Sequence, residues 1–281
     1  MKHVTKIQAL IKMCRPLNAL ITFLSIIIAA VVCAVNDFSY LNVFLAASAG
    51  ALTAIGGNTI NDIFDIEIDK INMPDRPLAR GILSKKEAIS FYITVNIIAL
   101  ILSIFPGVYS FIIVLTAEVI LFLYSYILKG IILAGNLAVA FLTGLAFLYG
   151  GVIVSNWEYS LIPAAFAFLI NLIREIIKDM QDIAGDSKQG VITFPQKYGL
   201  KSSKRIIALL SILLVSATII SFFLKVYNLQ FFIIVMAIVN PMLIYSLKLL
   251  IEDDSQKNLK KISSIYKLSM VLGLIAIYFG K

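Results

Sequence analysis

Histidine occurs once in the 281 residues, at His3 in the N-terminal tail. That scarcity argues against a histidine general base, a His-ligated zinc site and a Ser-His-Asp arrangement, because each lacks its central residue. Cysteine is nearly as rare. Cys14 and Cys33 lie near opposite ends of the first apolar run, about 28 Å apart at the helical rise, too far for a disulfide. Charged residues make up only 14% of the chain against 60% hydrophobic ones, a balance that excludes an ordinary soluble domain.

What the chain has in abundance is long apolar runs: residues 17–35, 41–60, 88–105, 108–128, 131–153, 160–177, 206–224, 229–250 and 262–279. Each approaches the roughly 20 residues a helix needs to cross a bilayer. The expected fold is therefore an all-α integral membrane protein with nine transmembrane helices, multi-pass in the cell membrane. Lys2, Lys6, Lys12 and Arg15 precede the first run as they would in a secretory signal, but its length and the eight runs that follow mark it as retained. Lys and Arg in short loops favour the cytoplasm. With nine spans, 22 of the 24 Lys and Arg fall on the side of the N-terminus, and only Lys225 and Lys281 lie opposite. The N-terminus is thus expected in the cytoplasm, and the net charge of +8 reflects topology and calls for no nucleic-acid partner.

The odd-numbered junctions are short and nearly uncharged, and Trp157 and Tyr159 in one of them suit an interfacial belt. The long polar segments are residues 61–87 and 178–204, expected as cytoplasmic loops, and they hold nine of the 16 acidic residues. Their acids share a spacing: Asp62-x-x-Asp65-x-x-x-Asp69 recurs as Asp179-x-x-Asp182-x-x-x-Asp186, 117 residues later. Four intervening spans keep both copies in one orientation, which predicts one domain over 1–281 made of two related halves and a ninth helix, with its site between the halves. On a helix, such spacing puts three carboxylates on one face. Like charges so placed repel, and a hard divalent cation with oxygen ligands is the simplest compensation. Mg²⁺ suits best, because it binds one or two carboxylates and shares phosphate oxygens.

Cations accompany the acids. Arg76 and Arg80 follow the first cluster, Arg174 and Lys178 flank the second, and Lys129 lies in the loop between spans 4 and 5. Each is a phosphate-binding candidate, although any one alone is also an ordinary positive-inside charge. Asn58 and Asn61 precede the first triplet; Asn58, four residues before Asp62, can ligate metal or phosphate, or hydrogen-bond between helices. Glu118, Ser125 and Lys129 form a stripe along span 4, where Glu118 is a functional candidate or an interhelical bond. Tyr124 and Asn136 share that ambiguity. Asn240-Pro241 inside span 8 predicts a kink without chemistry.

Specific motifs go further. Asn58-x-x-Asn61-Asp62-x-x-Asp65-x-x-x-Asp69, with Asn72-x-Pro74-Asp75-Arg76-Pro77 and Arg80-Gly81, resembles the first signature of UbiA-type prenyltransferases. Arg174-Glu175-Ile176-Ile177-Lys178-Asp179, continuing to Asp186, Gly190, Thr193 and Pro195, resembles the second. Arg15-Pro16-Leu17-Asn18, Tyr124-Ser125 to Lys129, and Gly135-Asn136 match more weakly. Asn-x-Pro-Asp-Arg-Pro together with Arg-Glu-Ile-Ile-Lys-Asp is most similar to the archaeal digeranylgeranylglyceryl phosphate synthases. The resemblance implies a nine-helix bundle and transfer of a geranylgeranyl group from its diphosphate to the hydroxyl of geranylgeranylglyceryl phosphate, a prenylated glycerol phosphate acceptor. It implies Mg²⁺ on Asp62, Asp65, Asp179 and Asp182, with Asp69 and Asp186 behind them, and a C20 tail among apolar helices in contact with membrane lipid. Tyr124 becomes a candidate for cation–π stabilisation of the allylic cation, and Arg15, Lys85 and Lys86 become candidates for the acceptor phosphate, with Asn18 beside Arg15.

Three alternatives stand beside this. An aromatic, quinone-precursor prenyltransferase shares the superfamily. A small-solute transporter also uses duplicated halves, although its acids belong at the midplane. A CDP-alcohol phosphotransferase would need an Asp-Gly and Ala-Arg signature in one cluster that this chain lacks.

Overall fold

The computed structural model describes residues 5–188 and 192–281, and the side chains of all of them except 72 and 184–188. Thr5 caps the first helix, α1 (Lys6–Cys14): its hydroxyl accepts from the Gln8 N–H, and the Gln8 side chain accepts from the Thr5 N–H at 3.1 Å. Ala9 and Met13 of α1 bury against Ile60, Ile63, Leu78, Leu83 and Ala88. That cluster docks α1 and the irregular segment after residue 72 onto one end of the bundle. Arg15 turns the chain with a left-handed φ of 47°, and Pro16 starts the first span, where a missing N–H costs nothing.

The remaining elements are α2 (Pro16–Cys33), α3 (Tyr40–Phe64), α4 (Ile66–Asn72), α5 (Lys85–Ile104), α6 (Val108–Tyr126), α7 (Ala134–Ile153), α8 (Leu161–Lys188), α9 (Phe194–Phe223), α10 (Leu229–Ile234), α11 (Asn240–Glu252) and α12 (Gln256–Phe279). Among the described residues there is no strand, and nine helical segments are long and apolar enough to span a membrane. This is a multi-pass membrane protein. Its outward surface carries many exposed Ile, Leu and Phe side chains, as the hydrocarbon phase favours.

α2 packs on α3, α7 and α12; α3 also meets α5, α6 and α7; α8 meets α7, α9 and α12. The α2–α7 contact is close because Gly150 has no side chain, and a Cβ there would sit 2.4 Å from the Ile26 carbonyl oxygen. A π-helical turn over Val235–Val239 leads into Asn240-Pro241, the widened form by which a helix passes a residue lacking an N–H.

Two expectations need revision. Residues 61–87 are no continuous loop: α3 runs through Asp62 to Phe64, breaks at Asp65 (φ −93°, ψ 9°), and α4 carries Asp69. Residues 178–204 are largely helical as well. α8 continues to Lys188, about three turns into the polar sequence, and α9 begins at Phe194 with a non-helical Gly199 (φ 81°) inside. Composition read these charged stretches as loops because charge is rare inside a membrane span; in the fold Asp65, Asp69, Asp179 and Asp182 line one cavity, while Glu67, Lys70, Lys85 and Lys86 stay exposed.

Candidate active site

The break at Asp65 lets the first acidic triplet turn inward without one straight helix. Asp62, Asp65 and Asp69 are only 2%, 5% and 4% exposed, and each is held by a cation. Arg15 donates to Asp62, and also to the Asn58 amide oxygen at 3.2 Å. Arg76 reaches Asp62 at 3.1 Å and both Asp69 oxygens at 2.8 and 2.6 Å. Lys129, from the short α6–α7 junction, donates to Asp65, which also accepts from Asn61 Nδ2 at 2.8 Å. Burial pushes the Asp69 carboxyl up to about 6, against the downward pull of Arg76.

The second cluster lies along one face of α8. Glu175 is buried and receives Lys178 Nζ on both oxygens, at 3.0 and 2.9 Å, and Arg174 more loosely at 3.4 Å. Asn136 of α7 donates to Asp179 at 2.9 Å. Tyr124 of α6 lines the same cavity as Asp65, Glu175 and Asp179. Gly135 leaves room for its ring: a Cβ there would lie 3.2 Å from the Tyr124 edge.

Both clusters open into one cavity of about 690 Å³, walled by α2, α3, α4, α6, α7, α8 and α12. Its mouth carries Arg15, Asn18, Asn58, Asn61, Asp65, Asp69, Arg76, Tyr124, Lys129, Asn136, Arg174, Lys178, Asp179 and Asp182. Its far end is apolar, with Ile21, Ile26, Ile113, Val114, Leu142 and Ala146. A polar, phosphate-sized mouth over a hydrocarbon-lined interior suits an amphiphile with a charged head and a long chain.

The other residues singled out by sequence fall elsewhere. Asp62 is not in the cavity wall; Arg15 and Arg76 cover it. Arg80 is exposed and away from the cavity, its backbone N–H bonded to the Arg76 carbonyl, so it is not gathered with the others. The Asp186 side chain and Gly190 lie outside the described residues. Glu118 does not line the cavity, although its neighbours Ala117 and Leu121 do, and its buried Oε1 has no hydrogen-bond partner.

The profile of the UbiA prenyltransferase family matches residues 20–271. The chain belongs to that family. A digeranylgeranylglyceryl phosphate synthase of Methanosphaera stadtmanae is 32% identical over 270 residues, covering 96% of this chain and 98% of the relative. The synthase of Methanocaldococcus jannaschii is 37% identical over 231 residues, 80% of this chain and 78% of the relative. A solved structure reported for digeranylgeranylglyceryl phosphate synthase in membranes aligns with a TM-score of 0.77 at 33% identity, covering 98% of each chain. A UbiA homologue from Archaeoglobus fulgidus, bound to GPP and Mg²⁺, shares the fold with a TM-score of 0.68 at 19% identity, over 96% of this chain and 99% of that one.

As a UbiA prenyltransferase, the chain is an enzyme, and its cavity holds two residues that sequence reasoning passed over, Asn171 and Lys267, together with Glu175 and Thr193, which it named only as motif positions. Asn171, Glu175 and Lys267 interrupt runs otherwise taken as plain membrane spans. An ionisable residue inside a span is a functional candidate by default, and that signal was available.

The donor set also bears on metal. Asp65, Asp69, Asp179 and Asp182 present carboxylate oxygens to one cavity, and the buried Asn61 Oδ1 beside Asp65 has no hydrogen-bond partner. Hard oxygen donors and an unspent acceptor suit a divalent cation such as Mg²⁺. Among the described residues no three acids are close enough to form a ready-made metal cage, because Arg76 and Lys129 stand among the carboxylates instead.

Proposed function

We propose that this UbiA prenyltransferase transfers a geranylgeranyl group from geranylgeranyl diphosphate to the free hydroxyl of geranylgeranylglyceryl phosphate, forming the second ether bond of an archaeal membrane lipid. One observation carries the reading: two acid clusters from opposite sides of the bundle share a single cavity whose interior is hydrocarbon-lined. Relatives named digeranylgeranylglyceryl phosphate synthase along nearly the whole chain support the choice of substrates.

In the reaction, the bond between the allylic carbon C1 and the diphosphate oxygen breaks, the diphosphate leaves, and the acceptor oxygen bonds C1 while its proton passes to the released diphosphate. Asp65, Asp69, Asp179 and Asp182 would hold Mg²⁺, which supplies neutralisation of the charge that builds on the leaving diphosphate. Arg76, Lys129 and Lys178 turn from the carboxylates to the phosphate oxygens. The Tyr124 ring faces the allylic group, where a desolvated cation–π contact is worth about 2 kcal/mol. The apolar walls align the C20 chain and exclude water, each buried CH₂ contributing about 0.8 kcal/mol. The positive-inside bias of 22 of 24 Lys and Arg supports a cytoplasmic N-terminus and a site opening to the cytoplasm.

The test uses purified protein in detergent with Mg²⁺ and labelled geranylgeranyl diphosphate, offering geranylgeranylglyceryl phosphate beside 4-hydroxybenzoate. The expected product is the diether phosphate, identified by mass, lost on chelation and restored by added Mg²⁺. Prenylation of the aromatic acid alone would assign the protein to quinone-precursor chemistry instead.

A further inference from the structure

The cations around the cavity divide into two kinds. Arg15, Arg76, Lys129 and Lys178 are each bonded to a buried carboxylate. Lys267, on α12, is not: its Nζ donates to the Asn18 amide oxygen at 2.7 Å, and among the described residues no carboxylate lies within ion-pair distance of it. Arg174, Arg15 and Lys178, which line the same cavity, carry its own sign and are each paired with a carboxylate. A lysine partly buried in a membrane span, facing other cations, with only a neutral amide as partner, is costly unless an anion joins it.

Two further donors point the same way. Arg174 Nε and Asn171 Nδ2, one turn apart on α8, are buried without a hydrogen-bond partner, and both residues line the cavity with Lys267 and Asn18. Arg174 meets Glu175 only through Nη1, at 3.4 Å. Buried donors left unmet are rare in folded proteins and cost about 1–3 kcal/mol each.

The depth is also telling. Asn18 is in the first turn of α2, an 18-residue helix about 27 Å long. Lys267 therefore meets that span near the end that carries Arg15. On α8, Asn171 lies eight residues before Asp179, about 12 Å further along the axis, while Arg174 sits between it and the acids, beside Glu175.

We propose that Lys267, Arg174, Asn171 and Asn18 form a second anion site that receives the phosphate of the acceptor lipid and selects a phosphorylated over a neutral alcohol. The assignment rests on the acceptor named above. It leaves Arg76 and Lys129 for the donor diphosphate, so each substrate has its own cations.

The test compares wild type, Lys267→Met and Lys267→Arg in detergent with Mg²⁺ and geranylgeranyl diphosphate. Acceptors are geranylgeranylglyceryl phosphate and the same alcohol without its phosphate. For Lys267→Met the KM for the phosphorylated acceptor rises at least about tenfold while the donor KM stays within about twofold, and Lys267→Arg recovers most of the loss. With the neutral alcohol, wild type and Lys267→Met behave alike. An unchanged acceptor KM, or a donor KM that rises as far, overturns the assignment and returns Lys267 to the diphosphate or to packing. Removing a charge from a span does not threaten folding, and elution as a single species checks it. A direct arm separates the two ideas: labelled geranylgeranylglyceryl phosphate is bound without donor or metal. Wild type that turns over no glycerol phosphate yet retains this lipid, with retention lost in Lys267→Met, sinks the proposed reaction and keeps the anion site. Equal retention by both proteins sinks the site itself.

Discussion

Asp62 and Asp179 occupy matched positions in the two acidic motifs, yet their surroundings make them different residues. Asp62 is held by Arg15 and Arg76 and is absent from the cavity wall; an amide there leaves Arg15 without a carboxylate and Arg76 with Asp69 alone. Asp62→Asn is therefore expected to destabilise the protein by about 2–4 kcal/mol, somewhat less than the loss of a fully buried pair, read as a lower thermal midpoint in detergent. Asp179 lines the cavity and accepts from Asn136, a bond that an Asn carbonyl at that position still accepts. Asp179→Asn should lose at least about a hundredfold in kcat. Turnover near the wild-type rate would contradict its place at the reacting end of the cavity. The carboxylates were legible in the sequence because their repeated spacing stands out in a chain so poor in acids. Lys267 shows in the sequence only as one charge inside an apolar run, a candidate by default, and what it pairs with is known only from its neighbours in space.

At the scale of elements, the spans were legible because a bilayer imposes a length and a composition on every helix that crosses it. The break between α3 and α4 and the extension of α8 were not. At the break the charges pair with distant ones, such as Lys129 on Asp65, and such pairing leaves no periodic trace. The α2–α7 contact offers a test of how one wall is set. A side chain at Gly150 would meet backbone of α2, at 2.4 Å from the Ile26 oxygen and 2.8 Å from the Ala30 nitrogen, and backbone cannot step aside. Gly150→Leu should separate α2 from α7 and give aggregated or poorly folded protein on size-exclusion chromatography. Gly273→Ala, with nothing within 4 Å of the added carbon, should run as wild type. Normal behaviour of Gly150→Leu would mean that α7 is free to shift.

For the whole molecule, the distribution of basic residues predicts one orientation in the membrane. In a background lacking Cys14 and Cys33, single cysteines at the exposed Lys86 and Glu158 should label from opposite sides of intact cells in a bacterial host. Glu158→Cys should react with an impermeant maleimide outside, and Lys86→Cys only after lysis. The reverse pattern would invert the bundle. A different consequence follows from the pairing of the cations with the acids. Around the cavity Arg15, Arg76, Lys129, Arg174, Lys178 and Lys267 face Asp62, Asp65, Asp69, Glu175, Asp179 and Asp182, six formal charges of each sign. From beyond a Debye length, about 8 Å in physiological salt, such a set looks nearly neutral and exerts little pull on an approaching anion. Donor capture should then proceed at a rate nearly flat with ionic strength, limited by diffusion within the bilayer, while the dwell time of the captured molecule shortens as salt competes for the short-range contacts.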